Sequence, residues 1–76
     1  MKKMKISLSS IEDVKEFVAL TNSYSFDSDL VSGRYAVDAK SIMGIFSLDL
    51  SKPIDLNIHS ENDVDAILEK LQPFIV

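Results

Sequence analysis

Apolar and polar residues alternate near the start of the chain, give way to helical spacing, and alternate again in the second half. Met4, Ile6 and Leu8 interleave with Lys3, Lys5 and Ser7, the period of a strand with one buried face, and the pair Ser9-Ser10 ends it. Ser9 followed three residues later by Glu12 forms a capping box, after which Ile11, Val14, Phe17 and Val18 recur at helical spacing; this predicts a helix from Ser10 to Asn22. Tyr24 to Val31 is less regular, but Ser32-Gly33 is a turn signal and Tyr35, Val37 and Ala39 alternate after it, which predicts a hairpin.

Ser41 then opens a short apolar segment whose Ile42, Ile45 and Phe46 can face inward from one or two helical turns. Pro53 closes the following loop, and Ile54, Leu56 and Ile58 alternate with Asp55, Asn57 and His59 in the clearest strand of the chain. Ser60 with Asp63, or Asn62 with Asp65, can cap a last helix with the stripe Val64, Ile67, Leu68 and Leu71, limited by Pro73. The order β-α-β-β-α-β-α predicts an α+β fold, a two-layer open-faced sandwich. Ile54, Leu56 and Ile58 should lie beneath the helices, with Val14, Phe17, Ile67 and Leu71 of the helices buried against them and Lys3, Lys5, Asp55, Asn57 and His59 on the solvent face.

Composition narrows the function. A chain of 76 residues has room for one core, so one domain spanning residues 1–76 is expected. There is no cysteine, which excludes disulfides and thiolate metal sites and suits a reducing compartment. Lys2, Lys3 and Lys5 are followed by Glu12 and Asp13 before any long apolar run, so no export signal is read and a cytoplasmic location is expected. No stretch approaches the roughly 18 apolar residues of a membrane span. The net charge is −4 and the lysines and Arg34 are scattered, which argues against nucleic acid as a partner. With no apolar pocket implied and no cofactor motif, the expectation is recognition by other proteins rather than catalysis.

The run Val37-Asp38-Ala39-Lys40-Ser41-Ile42-Met43-Gly44-Ile45-Phe46-Ser47-Leu48 closely resembles the segment around the second helix of the HPr family, the small phosphocarriers of the bacterial sugar phosphotransferase system. Its Lys-Ser-Ile-Met-Gly core is the specific part, and Val18, Tyr24, Asp27 and Leu30 fall where the family carries similar residues. The resemblance implies a four-stranded antiparallel sheet in the order 1-4-2-3. It also exposes a departure. HPr proteins carry the phosphoryl group on a histidine in a Gly-Ile/Leu-His-Ala-Arg-Pro stretch at the start of the first helix. The aligned residues here are Leu8-Ser9-Ser10-Ile11-Glu12-Asp13, so Ser10 stands at the histidine position, Glu12 at the arginine and Asp13 at the proline. A serine phosphoester is a poor phosphoryl donor, and two carboxylates repel an incoming phosphate.

By the same resemblance, Ser41 corresponds to a serine that a dedicated kinase phosphorylates in many HPr proteins, a role compatible with capping the second helix. Met43, Phe46 and Leu48 correspond to the apolar patch with which HPr docks on its partners, against the plain alternative of core filling. Met43 should be at least partly exposed, and Ile42 and Ile45 buried. His59 is the sole histidine and hence the sole possible displaced acceptor, against an ordinary exposed sheet residue; with Asp55 it supplies at most two metal ligands, too few for a site. The expected reading is an HPr-like regulatory or docking module that has lost carrier activity. Its implied partners are phosphotransferase components, a serine kinase or a transcriptional regulator. The rivals are a working carrier using His59 and an HPr-like fold retained for an unrelated partner.

Overall fold

The computed structural model describes residues 2–25, 27–60 and 64–76. Seven elements follow in the expected order: β1 (Lys2–Ile6), α1 (Ile11–Thr21), β2 (Ser28–Ser32), β3 (Tyr35–Asp38), α2 (Ile42–Phe46), β4 (Ile54–Ile58) and α3 (Val64–Leu71). The strands form one antiparallel sheet in the order β1-β4-β2-β3. Because β4 runs antiparallel to both β1 and β2, the latter two are parallel to each other with β4 between them. By the same logic β3 and β4 are parallel with β2 between them. The fold is thus two interleaved split β-α-β units, β1-α1-β2 and β3-α2-β4.

Alternation along the strands sorts the two faces. Met4, Leu56, Leu30 and Val37 stand opposite one another in register across all four strands. Leu56 and Leu30, on the inner strands, are fully buried; Met4 and Val37, at the edges, are half-buried against the same core. On the other face the matching row is Lys3, Asn57, Asp29 and Asp38. β4 has the most regular pattern, with Ile54, Leu56 and Ile58 buried and Asp55 and Asn57 half-buried between them. A one-residue slip would exchange the two sets, so its register is strongly specified.

The helices close over the apolar face. Val14, Phe17 and Thr21 are the buried residues of α1, and Ile67 and Leu71 those of α3, with Leu68 half-buried. The Phe17 ring meets Phe74 edge to face, with centroids 5.9 Å apart. Thr21 is buried because its hydroxyl has a use: it donates to the Ala39 carbonyl at 2.8 Å, tying the end of α1 to the loop before α2. Gly33 takes up φ 59° in the β2–β3 turn, a backbone region that costs glycine little.

α3 ends at Leu71, just ahead of Pro73, and beyond it Ile75 forms an isolated bridge with Ile6. Three expectations need correction. β1 ends at Ile6 rather than Leu8, because the Ser7 N–H turns to the Phe74 carbonyl; Leu8 is nevertheless buried. Ile11 is exposed instead of joining the apolar stripe of α1, since it sits in the first turn beside an open groove. Ile42 is half-buried rather than buried. The caps expected from Ser60 with Asp63 or Asn62 with Asp65, and the Val64 side chain, lie outside the described residues.

Phe17 is fully enclosed between α1, the sheet and Phe74. Phe17→Ala is expected to lower stability by about 3–5 kcal/mol, read as a fall in the urea midpoint at unchanged m-value. For a domain of this size that approaches the whole folding free energy.

Candidate functional site

The start of α1 is held by its own serines and acids. Ser10 is the N-cap, in extended conformation at φ −144° and ψ 166°, and its hydroxyl accepts the Asp13 N–H at 3.1 Å. Asp13 reaches back, its Oδ2 accepting both the Ser9 N–H at 3.1 Å and the Ser9 hydroxyl at 3.0 Å. The N-cap is thus Ser10, one residue later than the expected Ser9, and the acid that reaches back is Asp13, which takes Ser9, in place of the expected Glu12. The buried Leu8 still belongs to the incoming extended chain, so Ser9 cannot yet stand at the helix boundary. Glu12 is exposed in the same first turn. A site that already holds two carboxylates beside the helix N-terminus has used the favourable potential there on groups of its own.

Beside it lies an open groove of about 370 Å³ lined by Leu8, Ser9, Ser10 and Ile11 on one side and Phe46, Leu50 and Ser51 on the other. Ile11 is 61% exposed, Phe46 44% and Met43 77%. Met43 and Phe46 are three residues apart on α2 and so share one face. Leu48 does not join them: it lies past the end of α2, is only 7% exposed and belongs to the core. Here core filling is the correct reading and the docking assignment of Leu48 is withdrawn. Ile11, Leu50 and Ser51 were not singled out from the sequence. An apolar residue at the first helical position, ahead of the buried stripe, was the available signal for Ile11.

Ser41 caps α2, its hydroxyl accepting the Gly44 N–H at 3.1 Å, and it is half-buried. The glycine four residues into the Lys-Ser-Ile-Met-Gly run has a steric reason. A Cβ there would meet Ser41 Oγ and Val37 Cβ, each at 3.2 Å. Lys40 does not lean toward Ser41; its ammonium lies 5.4 Å from the centre of the Tyr24 ring. The Tyr24 hydroxyl shares a hydrogen bond with Ser28 Oγ at 2.8 Å. Burial pushes its pKa up, the Ser28 hydrogen bond lowers it in part, and the nearby Asp38 charge adds to the rise.

The sequence profile of the PTS HPr component phosphorylation site matches residues 13–76, most of the chain. The chain belongs to the PTS HPr family. The matched stretch begins at Asp13, so Ser10 and Glu12 lie outside it. Two solved HPr structures share the fold of this family member. The crystal structure of HPr-C-His from Thermoanaerobacter tengcongensis has a TM-score of 0.76 and 26% identity, over 93% of this chain and 90% of that one. The phosphocarrier protein HPr from Bacillus anthracis str. Ames has a TM-score of 0.72 and 27% identity, over 99% of this chain and 94% of that one. No curated protein matches the chain by sequence.

His59 lies at the other end of the sheet of this HPr-family chain. Lys2 pairs with Ile58 and Ile6 with Ile54, so α1 is entered from the Ile6 end while His59 follows the Lys2 end. Four strand residues separate the two ends, about 13 Å at roughly 3.3 Å per residue. His59 Nε2 is 3.1 Å from Asp29 Oδ2, and the His59 backbone N–H donates to the Asp27 carbonyl. No cluster of metal-ligating side chains is present among the described residues. None of the helices is long and apolar enough to cross a membrane, again among the described residues.

The cap geometry makes two substitutions informative. Ser10→Ala is expected to cost about 0.5–2 kcal/mol by leaving the Asp13 N–H without its acceptor. Gly44→Ala gains about 1 kcal/mol in helix propensity. It should nevertheless destabilise, because the crowding against Val37 Cβ and the capping Ser41 costs about 1–3 kcal/mol. Chemical denaturation of both variants checks the signs, and a stabilised Gly44→Ala would show that Ser41 can give way freely.

Proposed function

We propose that this HPr-family protein is a regulatory or docking module that does not relay phosphoryl groups. The observation that carries the reading is the arrangement at the α1 start, where the Ser10 hydroxyl caps the Asp13 N–H, the Asp13 carboxylate holds Ser9, and Glu12 stands alongside. An imidazole would form a phosphoramidate that can be passed on. A serine phosphoester holds its phosphate more firmly, and a dianion arriving here would meet two carboxylates instead of an arginine. Ile11 at this start and Met43 and Phe46 on α2 are all exposed, which supports protein recognition as the role that is left. His59, a strand's length away, is the acceptor of a rival reading; its imidazole is already paired with the Asp29 carboxylate, which would repel a phosphate.

Regulation through Ser41 is the second part of the proposal. Its Oγ accepts a hydrogen bond and would keep a lone pair for Gly44 as a phosphoester. About two negative charges would then stand two residues from the exposed Met43, weakening partners with acidic or apolar surfaces and favouring those that offer arginine.

Incubation with phosphotransferase enzyme I and phosphoenolpyruvate is expected to leave the protein unmodified. An acid-labile phosphate, lost in His59→Ala, would overturn the non-carrier reading. Incubation with an HPr serine kinase and ATP, followed by mass spectrometry, is expected to place phosphate on Ser41. Ser41→Asp should keep the fold and alter partner recovery in pull-downs. If Ser41 stays unmodified and wild type, Ser41→Ala and Ser41→Asp recover the same partners, Ser41 serves only as a helix cap.

A further inference from the structure

The groove between α1 and the α2–β4 loop is lined by Leu8, Ile11, Phe46 and Leu50 together with three serines, and the segments that form it carry more acid than base. On the two segments that form it, residues 9–13 and 46–52, the charged side chains are Glu12, Asp13 and Asp49 against Lys52. One step further along α1, Lys15 and Glu16 offset each other. Two of the acids are held in place by serines that line the groove. Asp13 takes the N–H and hydroxyl of Ser9, and Asp49 takes the N–H and hydroxyl of Ser51. Those bonds from Ser51 also hold the Asp49 carboxyl below the usual carboxylate range, so its charge is present at any physiological pH. The apolar lining supplies affinity without direction, and the acidic excess beside it, three acids against Lys52, supplies selection.

Resting on the docking reading above, we infer that this groove receives a protein segment that offers an apolar side chain flanked by lysine or arginine. Partners whose apolar contact is ringed by aspartate or glutamate are turned away. A second copy of the chain is a poor occupant, because two such grooves brought face to face would oppose acid to acid on molecules that each carry a net charge of −4.

The test uses two synthetic amphipathic helical peptides of equal length that share one leucine and tryptophan face, the remaining positions being lysine and arginine in one and glutamate and aspartate in the other. The protein contains no tryptophan, so the peptide's fluorescence reports docking directly, and amide shifts of isotope-labelled protein locate it. The basic peptide is expected to bind at least about tenfold more tightly at low salt, with the gap closing toward 1 M salt as charges are screened. Its shifts should centre on residues 9–13 and 46–51. Glu12→Lys combined with Asp49→Lys should abolish or reverse the preference, while Phe46→Ser should weaken both peptides alike. Should the double variant fail to fold, the salt dependence of the wild type decides alone. Equal or tighter binding of the acidic peptide at the groove overturns the charge inference and leaves the docking reading standing. Shifts at the groove that appear with protein concentration alone replace the basic partner with a second copy. Absence of binding by either peptide overturns the inference, and the partner pull-downs then decide the docking reading separately.

Discussion

β4 is hydrogen-bonded along both edges, to β1 on one side and β2 on the other, and every other element takes its place from that double pairing. Neither β-α-β unit can close by itself, because the gap between β1 and β2 is filled by a strand of the second unit, and the gap between β3 and β4 by a strand of the first. Once β4 is seated with Ile54, Leu56 and Ile58 inward, α1 and α2 have one apolar face to share. Their proximity then forms the groove, with Ile11 on one wall and Phe46 on the other. The surface through which the protein would be recognised is therefore a by-product of strand register, set by residues that never touch a partner.

The clearest elements were legible because each buries a face with its own period, β3 with no buried residue being the exception. Ile54-Leu56-Ile58 and Val14-Phe17 needed nothing beyond that rule. The strand order was not legible by this means. Pairings such as Lys5 with Asp55 join residues fifty positions apart, and no local pattern encodes them; the order came with the family likeness. The site was half legible. Ser41 as a cap follows from its place before an apolar run, whereas at α1 two overlapping serine-acid pairs fit the same rule, and burial of Leu8 chose the second. Leu48 and Ile11 were misassigned for one reason: apolar residues at helix ends go in or out according to what lies beyond the helix, which is tertiary information.

The two halves of the site are joined at the back as well as the front. The Thr21 hydroxyl holds the Ala39 carbonyl and the Asn22 amide holds the Lys40 carbonyl at 3.3 Å, so the end of α1 grips the loop that delivers Ser41. Lys40 packs over Tyr24, which is itself tied to Ser28 at the start of β2. The α1 start at the front is less constrained: Ser10 and Glu12 are exposed there, so their side chains can change at little expense to the core.

The bridge between Ile6 and Ile75 bears on how the core closes. Ile75 bridges Ile6, the Phe74 carbonyl receives the Ser7 N–H, and the Phe74 ring closes over Phe17. α1 can form from local interactions, whereas Phe17 is enclosed only once a residue far along the chain has docked. Interactions of such long sequence separation delay closure and leave apolar surface open in the meantime. The sealing of Phe17 is accordingly a late event in folding, and until it is complete the apolar face of α1 stays open to chaperones and proteases.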